Sequence, residues 1–190
     1  MKKAFLILLA ILALQAPSLA PAQSSSFTVL LAGGSASNVI QIWLTADGRS
    51  YVIDSIVPLE VGGTICGNPE GNPNELICPA PMIAGFEINA DGGDDKISVA
   101  KDISIPVTMR GGSGRDVLLG GAGPDKLIGG NGDDRLVGWR GDDLLAGGPG
   151  DDVHVAGIGD DIVLSGPGDD IVREGPGDDV VRRVSAGPRS

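Results

Sequence analysis

Apolar and polar positions alternate in short runs over the first half of the chain. The run 38–44 (NVIQIWL) alternates them and is rich in β-branched residues, and 51–57 (YVIDSIV) follows after a turn at Asp47-Gly48. Both predict strands, as does 83–89 (IAGFEIN). Further on, Ile103, Ile105, Val107 and Met109 alternate and predict one more strand within 99–110. Then the rhythm changes. From residue 111 a period of nine sets in, and its eighth position reads Leu118, Leu127, Leu136, Leu145, His154, Val163, Val172, Val181. Each block divides into a turn at positions one to six and a three-residue strand at seven to nine, whose position-eight side chain points inward. No segment carries a helical period with caps, and Pro58, Pro69, Pro73, Pro79 and Pro81 interrupt the region before the repeats.

What fills the turns is glycine and aspartate. Eight consecutive blocks over 111–182 hold Gly at position four (Gly114, Gly123, Gly132, Gly141, Gly150, Gly159, Gly168, Gly177). Position six is Asp in all eight: Asp116, Asp125, Asp134, Asp143, Asp152, Asp161, Asp170 and Asp179. Two blocks make one full coil, so block n lies over block n+2, about 4.8 Å away. One file of carboxylates then contains Asp116, Asp134, Asp152 and Asp170, and the other Asp125, Asp143, Asp161 and Asp179. Residues 91–99 (DGGDDKISV) read as a lone early repeat, because Gly93, Asp95 and Ile97 keep the spacing of positions four, six and eight.

The first 22 residues are expected to be a leader. Lys2 and Lys3 precede an apolar core at 4–14 too short to span a bilayer comfortably, and cleavage is placed after Ala22. Without those lysines 12 basic residues face 25 acids, a net charge of −13 for the mature chain. That sign disfavours a nucleic-acid partner. Cys66 and Cys78 flank a Gly/Asn/Pro-rich stretch in a chain read as exported, which predicts a local disulfide; a free thiol pair and a metal site are the alternatives. Closing such a loop contributes roughly 3 kcal/mol in the chain-entropy model.

Carboxylates stacked this closely repel by roughly 0.8 kcal/mol per pair in water, and by more where water is excluded. A hard cation between turns removes the repulsion. Calcium accepts six to eight oxygens in flexible geometry, whereas magnesium keeps its waters and zinc asks for His or Cys. Calcium is therefore the expected ligand. The stretches GGSGRDVLL, GGAGPDKLI and GGNGDDRLV resemble the RTX, or hemolysin-type calcium-binding, nonapeptide GGxGxDxUx, strongly over 111–182 and weakly over 91–99. The arrangement as a whole also looks like that of small secreted bacterial proteins with such repeats. The resemblance implies an all-β fold: a right-handed parallel β-roll (β-solenoid), with calcium held between turns by the position-six Asp and backbone carbonyls. An N-terminal β-rich cap or small β region is expected at 23–90, the early repeat with its connecting strand at 91–110, the roll at 111–182 and a tail at 183–190.

Departures from the pattern set expectations for individual sites. Position one is Gly through Gly147 and then Ala156, Ser165 and Glu174, and position two is Gly except for Trp139. Four stacked pairs leave at most six inter-turn sites, and four to six ions are expected, most securely near 111–134. Position five is Asp in six blocks (Asp133, Asp142, Asp151, Asp160, Asp169, Asp178), as extra ligands or as a solvated outer face. His154 is read as a tolerated core residue and Trp139 as a packed bulge. Positions seven and nine turn apolar late (Val153, Val155, Ile162, Leu164, Ile171, Val180), either as an interface or as a surface under the N-terminal region. Neither HExxH nor GxSxG occurs and the single His lies inside the repeats, so no enzyme is expected. The sequence reads as a secreted, non-catalytic calcium-binding module with no membrane span in the mature chain. The alternatives are a cell-surface adhesin or matrix component with a protein or surface partner, or an accessory part of a calcium-dependent secreted hydrolase.

Overall fold

The computed structural model describes residues 27–55, 60–61, 66–67, 72 and 74–185. The expected leader (1–22), the end of the strand at 51–57 and the residues 186–190 of the tail lie outside the described residues. The strands run in the order β1 (Phe27–Gly34), β2 (Val39–Leu44), β3 (Ser50–Ser55), β4 (Glu60–Val61), β5 (Glu75–Pro79), β6 (Ile83–Asp91), β7 (Lys96–Val99) and β8 (Val107–Ser113). The repeats follow with β9 (Val117–Leu119), β10 (Lys126–Asn131), β11 (Arg135–Arg140), β12 (Leu144–Ala146), β13 (Val153–Ile158), β14 (Ile162–Gly168), β15 (Ile171–Arg173) and β16 (Val180–Ser185). Among the described residues the only helical segment is a single 3-10 turn, Ala80–Met82.

The chain shuttles between two eight-stranded sheets, one ordered β16-β14-β12-β10-β8-β6-β1-β4 and the other β15-β13-β11-β9-β7-β2-β3-β5. All pairings are parallel except those of β3, β4 and β5. This is an all-β solenoid of stacked coils. Within the repeats the register places Leu118 beside Leu136 and Leu136 beside His154 in one sheet. In the other it places Leu127 beside Leu145 and Leu145 beside Val163. Block n thus stacks on block n+2, because two blocks of turn plus strand complete one circuit. The position-eight side chains fill the narrow space between the sheets, and Leu118, Leu127, Leu136, Leu145 and Val163 are fully buried.

Upstream of the repeats the same two sheets continue. β1 pairs in parallel with β6, and β2 with β7, so 27–44 and 83–99 trace coils of the same solenoid. Larger side chains fill this end: Ile40, Ile53, Phe86 and Ile88 are buried, and Tyr51 meets Phe86 edge-on at 5.2 Å. β3 and β5 close the end of one sheet antiparallel, and Cys66 and Cys78 form a disulfide (S–S 2.04 Å) beside them.

The strand expected from the alternation at 103–109 begins only at Val107. Pro106 has no N–H to offer a ladder, and a turn closed by Ile103 N–H on the Ala100 carbonyl (3.0 Å) occupies the start of the segment. Ile103 nevertheless points into the core. The late apolar stripe stays uncovered by the described residues. β1 to β5 sit at the opposite end of the sheets, leaving Ile162, Leu164, Ile171 and Val180 exposed.

Candidate metal centre

The turns bring all eight repeat aspartates into two files. Oδ1 of each accepts the backbone N–H of the residue one coil earlier: Asp116 N–H to Asp134 (2.8 Å), Asp134 to Asp152 (2.8 Å) and Asp152 to Asp170 (3.0 Å). The second file repeats this with Asp125 to Asp143 (2.8 Å), Asp143 to Asp161 (2.8 Å) and Asp161 to Asp179 (2.9 Å). The first file extends upward beyond the repeats. Asp95 N–H donates to Asp116 Oδ1 (2.8 Å), and Asn38 N–H to Asp95 Oδ1 (2.6 Å). The sequence pattern places Asp95 in an early repeat without making it a ligand, and does not single out Asn38. A signal was present. Residues 33–41, GGSASNVIQ, fit the nonapeptide with Ala36 at position four, Asn38 at position six and Ile40 at position eight.

The second oxygen of each carboxylate defines the chemistry. Oδ2 of Asp95, Asp116, Asp134, Asp143, Asp152 and Asp161 is buried without any hydrogen-bond partner. For Asp116, Asp134, Asp143 and Asp152 it lies against the position-one glycine of its own block. At Gly129, the point where a Cβ would stand overlaps Asp134 Oδ2 and lies 2.8 Å from the Gly147 carbonyl oxygen. The same holds at Gly147, with Asp152 Oδ2 and the Ser165 carbonyl (2.7 Å). Each such point lies beside both a partnerless carboxylate oxygen and a carbonyl oxygen of the next coil. A carboxylate oxygen buried without a donor is stabilised only by a proton or a cation. The residues therefore fit a divalent, oxygen-seeking ion.

Burial acts on the carboxyls in the same sense. It pushes Asp116, Asp125 and Asp152 up to about 6, Asp134 to about 7 and Asp143 to about 8, with the charges of neighbouring file members adding to it for all but Asp125. Burial raises Asp95 and Asp161 too, with the charges of Asp94 and Asp91 adding to it at Asp95 and that of Asp179 at Asp161. Backbone N–H donors pull the other way and lose. Among the described residues no three acidic, His or Cys side chains converge on one point, so an ion here depends on carbonyl oxygens as well.

The turns are not equal. Gly130 (φ 123°) stands where any Cβ would strike the Gly112 carbonyl of the coil above, so position two requires glycine wherever the overlying turn is regular. Trp139 occupies this position at φ 78°. The turn above it, 120–125, packs on the irregular segment 100–106, with Ala122 N–H donating to the Ile103 carbonyl (2.6 Å). Gly121 there is not left-handed and gives its N–H to Asp125 Oδ2 (2.7 Å), so that oxygen is already satisfied. Its own sequence, GGAGPD, keeps the motif's Gly and Asp, but Pro124 at position five has no N–H to give, so the turn differs both in its neighbour and in this residue. At the far end Asp170 and Asp179 are half-buried, with no described coil beyond them.

The position-five aspartates form a second, exposed ladder running the opposite way. Asp151 N–H donates to Asp133 Oδ1 (3.0 Å), Asp160 to Asp142 (3.0 Å) and Asp178 to Asp160 (2.9 Å). Each braces the turn one coil later, which is more than a solvated face and different from inner-file ligation. His154 sits fully buried in the core column, both ring nitrogens unpartnered, and burial lowers its pKa. It is a tolerated core residue held neutral.

With this geometry in place, comparison with known families is decisive. The model of the RTX calcium-binding nonapeptide repeat, four copies long, matches 110–145 and again 146–181. These residues are RTX calcium-binding repeats. Two matches of four copies account for all eight blocks, and the solenoid they build is a calcium-binding RTX β-roll. The RTX match begins beyond Asp95 and Asn38, which join the same file through structure alone. No curated protein and no solved structure matches the chain.

Proposed function

We propose that this chain is a secreted, non-catalytic calcium-binding β-roll protein whose repeats fold when calcium enters between stacked turns. The observation that carries the reading is the set of six buried Oδ2 atoms without partners, each at the foot of a turn. Asp116, Asp134, Asp143, Asp152 and Asp161 hold the ions together with position-one carbonyls of the following coil, and four to six ions enter per chain. Asp170 and Asp179 complete the last turns, and Asp125 contributes more weakly because Gly121 already serves one of its oxygens. When bound, calcium supplies charge neutralisation and bonds between coils. The chain's own part is to bring one carboxylate per turn into register and exclude water from it.

Export suits this chemistry. Calcium is scarce in cytosol, so repeats that need it stay unfolded until they leave the cell, where millimolar calcium drives folding by linkage. The exposed Ile162, Leu164, Ile171 and Val180 favour an interaction role for the finished roll, toward a protein or cell-surface partner. Far-UV circular dichroism of residues 23–190, titrated with calcium after chelator treatment, tests the reading. A cooperative gain of β signal with calcium and not magnesium is expected. A spectrum fully developed in chelator and unmoved by calcium overturns it.

A further inference from the structure

We propose that Asn38 replaces the calcium ion in the first turn of the stack, closing the N-terminal coil without metal so that it templates the calcium-dependent coils beneath. The inference rests on the calcium reading above and concerns a residue outside the matched repeats.

Asn38 stands at position six of the degenerate block 33–41 and heads the first file. It is buried to 1% exposure. Its Nδ2 occupies the place that an orphaned carboxylate oxygen takes in the repeats, against the position-one Gly33 of its own block, where a Cβ would lie 2.7 Å from it. Four oxygens surround this nitrogen: the Ala36 carbonyl at 2.8 Å, Asp95 Oδ1 at 3.0 Å, the Ala90 carbonyl at 3.3 Å and the Gly34 carbonyl at 3.5 Å. They come from positions two and four of its own turn and positions one and six of the next. Ala90, whose carbonyl lies beside Gly33, is the counterpart of Gly147 and Ser165, whose carbonyls lie beside Gly129 and Gly147 lower down.

An amide nitrogen carries two hydrogens and a partial positive charge, so four oxygens around it form the kind of shell a hard cation gathers. The repeats put a partnerless carboxylate oxygen in the place of this nitrogen, against the position-one glycine, and there the positive partner must come from solution. Changing one atom from oxygen to nitrogen supplies it internally. The second file ends at this side in a different metal-free way. Val107, buried at 1% exposure, stands in register one coil above Asp125 and gives its N–H to Asp125 Oδ1 (2.9 Å). The first file thus opens on an amide and the second on a backbone N–H, and the first orphaned carboxylate oxygen is that of Asp95, one coil below Asn38. Calcium dependence therefore begins below this coil, whose strands β1 and β2 offer preformed edges on which β6 and β7 pair.

Asn38→Asp restores the oxygen and should convert the template into one more calcium site. Two measurements on the full mature chain decide it: bound calcium per chain by titration calorimetry, and hydrogen exchange by mass spectrometry over 38–44 and 94–99 against 126–164. In chelator the wild type is expected to protect 38–44 and 94–99 at least tenfold more than 126–164. Asn38→Asp should lose that protection in chelator, regain it in calcium and bind one additional ion. Wild-type protection that is no greater at the N-terminal coil than in the repeats overturns the proposal. So does a variant that takes up no further ion or stays unprotected in calcium. A wild-type chain that binds no calcium removes the calcium reading itself, whereas wild-type binding with an unchanged count in the variant removes only the role of Asn38.

Discussion

The coils of 27–99 and the coils of 111–182 follow the same path through the same two sheets, yet different forces hold them. The N-terminal coils bury Ile40, Ile42, Ile53, Phe86 and Ile88, carry the Cys66–Cys78 disulfide and head their ionic file with an amide. The repeats bury one aliphatic side chain per strand and, beneath each turn, a carboxylate oxygen with no partner. Identical backbone geometry is thus compatible with a hydrocarbon-filled coil that stands alone and with an ion-filled coil that does not. The difference lies at position six and in the size of what fills the interior.

Removing calcium should separate the two regions most. A site saturated 100-fold above its dissociation constant adds about 2.7 kcal/mol, so four sites add about 11 kcal/mol, which rivals the whole stability of a domain. Chelation is expected to unfold 111–182 while the N-terminal coils persist, leaving in chelator only the thermal transition of the N-terminal coils, against a much larger and higher transition in calcium. One transition, insensitive to chelator, would erase the distinction. Next in size is Phe86→Ala, which removes a buried ring from the Tyr51 contact and should cost about 3–5 kcal/mol. Its signature is independence from calcium: urea midpoints in calcium and in chelator should both fall, where Leu136→Ala lowers only the calcium-loaded one.

Single ligands come third. Asp143→Asn, in the middle of its file, should lower bound calcium by at least one ion and weaken the affinity of neighbouring turns. Asp160→Asn, on the exposed outer ladder, should leave the count unchanged, since its Oδ1 accepts only a backbone N–H. Equal losses in calorimetry would mean that the outer ladder ligates metal. Acidity sharpens the same contrast. In the metal-free fold burial holds the Asp116, Asp134 and Asp143 carboxyls at about 6, about 7 and about 8, above the 3.8 of the unfolded chain. The folded state then holds more protons, so this part of its stability is fully present below about pH 4 and is lost as pH rises through about 6 to 8. Calcium displaces those protons, so its affinity rises over the same window. Any β signal that 111–182 keeps without metal should fall between about pH 5 and about pH 8, while calcium affinity climbs. Parallel trends would contradict burial as the cause.

Much of this was legible in the residues. An invariant Gly and Asp every ninth residue fixes turn, register and file, because stacking follows once two blocks close a circuit. Three things were not, each because it depends on a neighbour in space. The block at 33–41 replaces Gly by Ala and Asp by Asn, and its membership shows only when Asn38 meets Asp95 across the coil. Asp125 sits in a block that keeps the motif's Gly and Asp, yet its turn packs on the irregular segment 100–106 above it. The exposed aspartates at position five read as solvated until their hydrogen bonds to the following coil appear.

Trp139 is the smallest and most local test of how a coil depends on the one above it. A left-handed residue with a side chain carries about 1 kcal/mol of strain, and the Lys101 ammonium 3.5 Å above the indole centroid offsets about 0.5–1 kcal/mol of it. Trp139→Gly relieves the strain and loses the ring contact, so it should shift stability by less than about 1 kcal/mol. Trp139→Ala keeps the Cβ at φ 78° without the ring and should come out the less stable of the two. The parallel change Gly130→Ala drives a Cβ into the Gly112 carbonyl under a regular turn and should cost clearly more than either, measured as calcium-loaded midpoints in one series. Should Gly130→Ala prove as mild as Trp139→Ala, the irregular turn at 120–125 would not be what makes room for the indole. The position-two glycines would then be kept for their φ alone, and not for the carbonyl stacked above them.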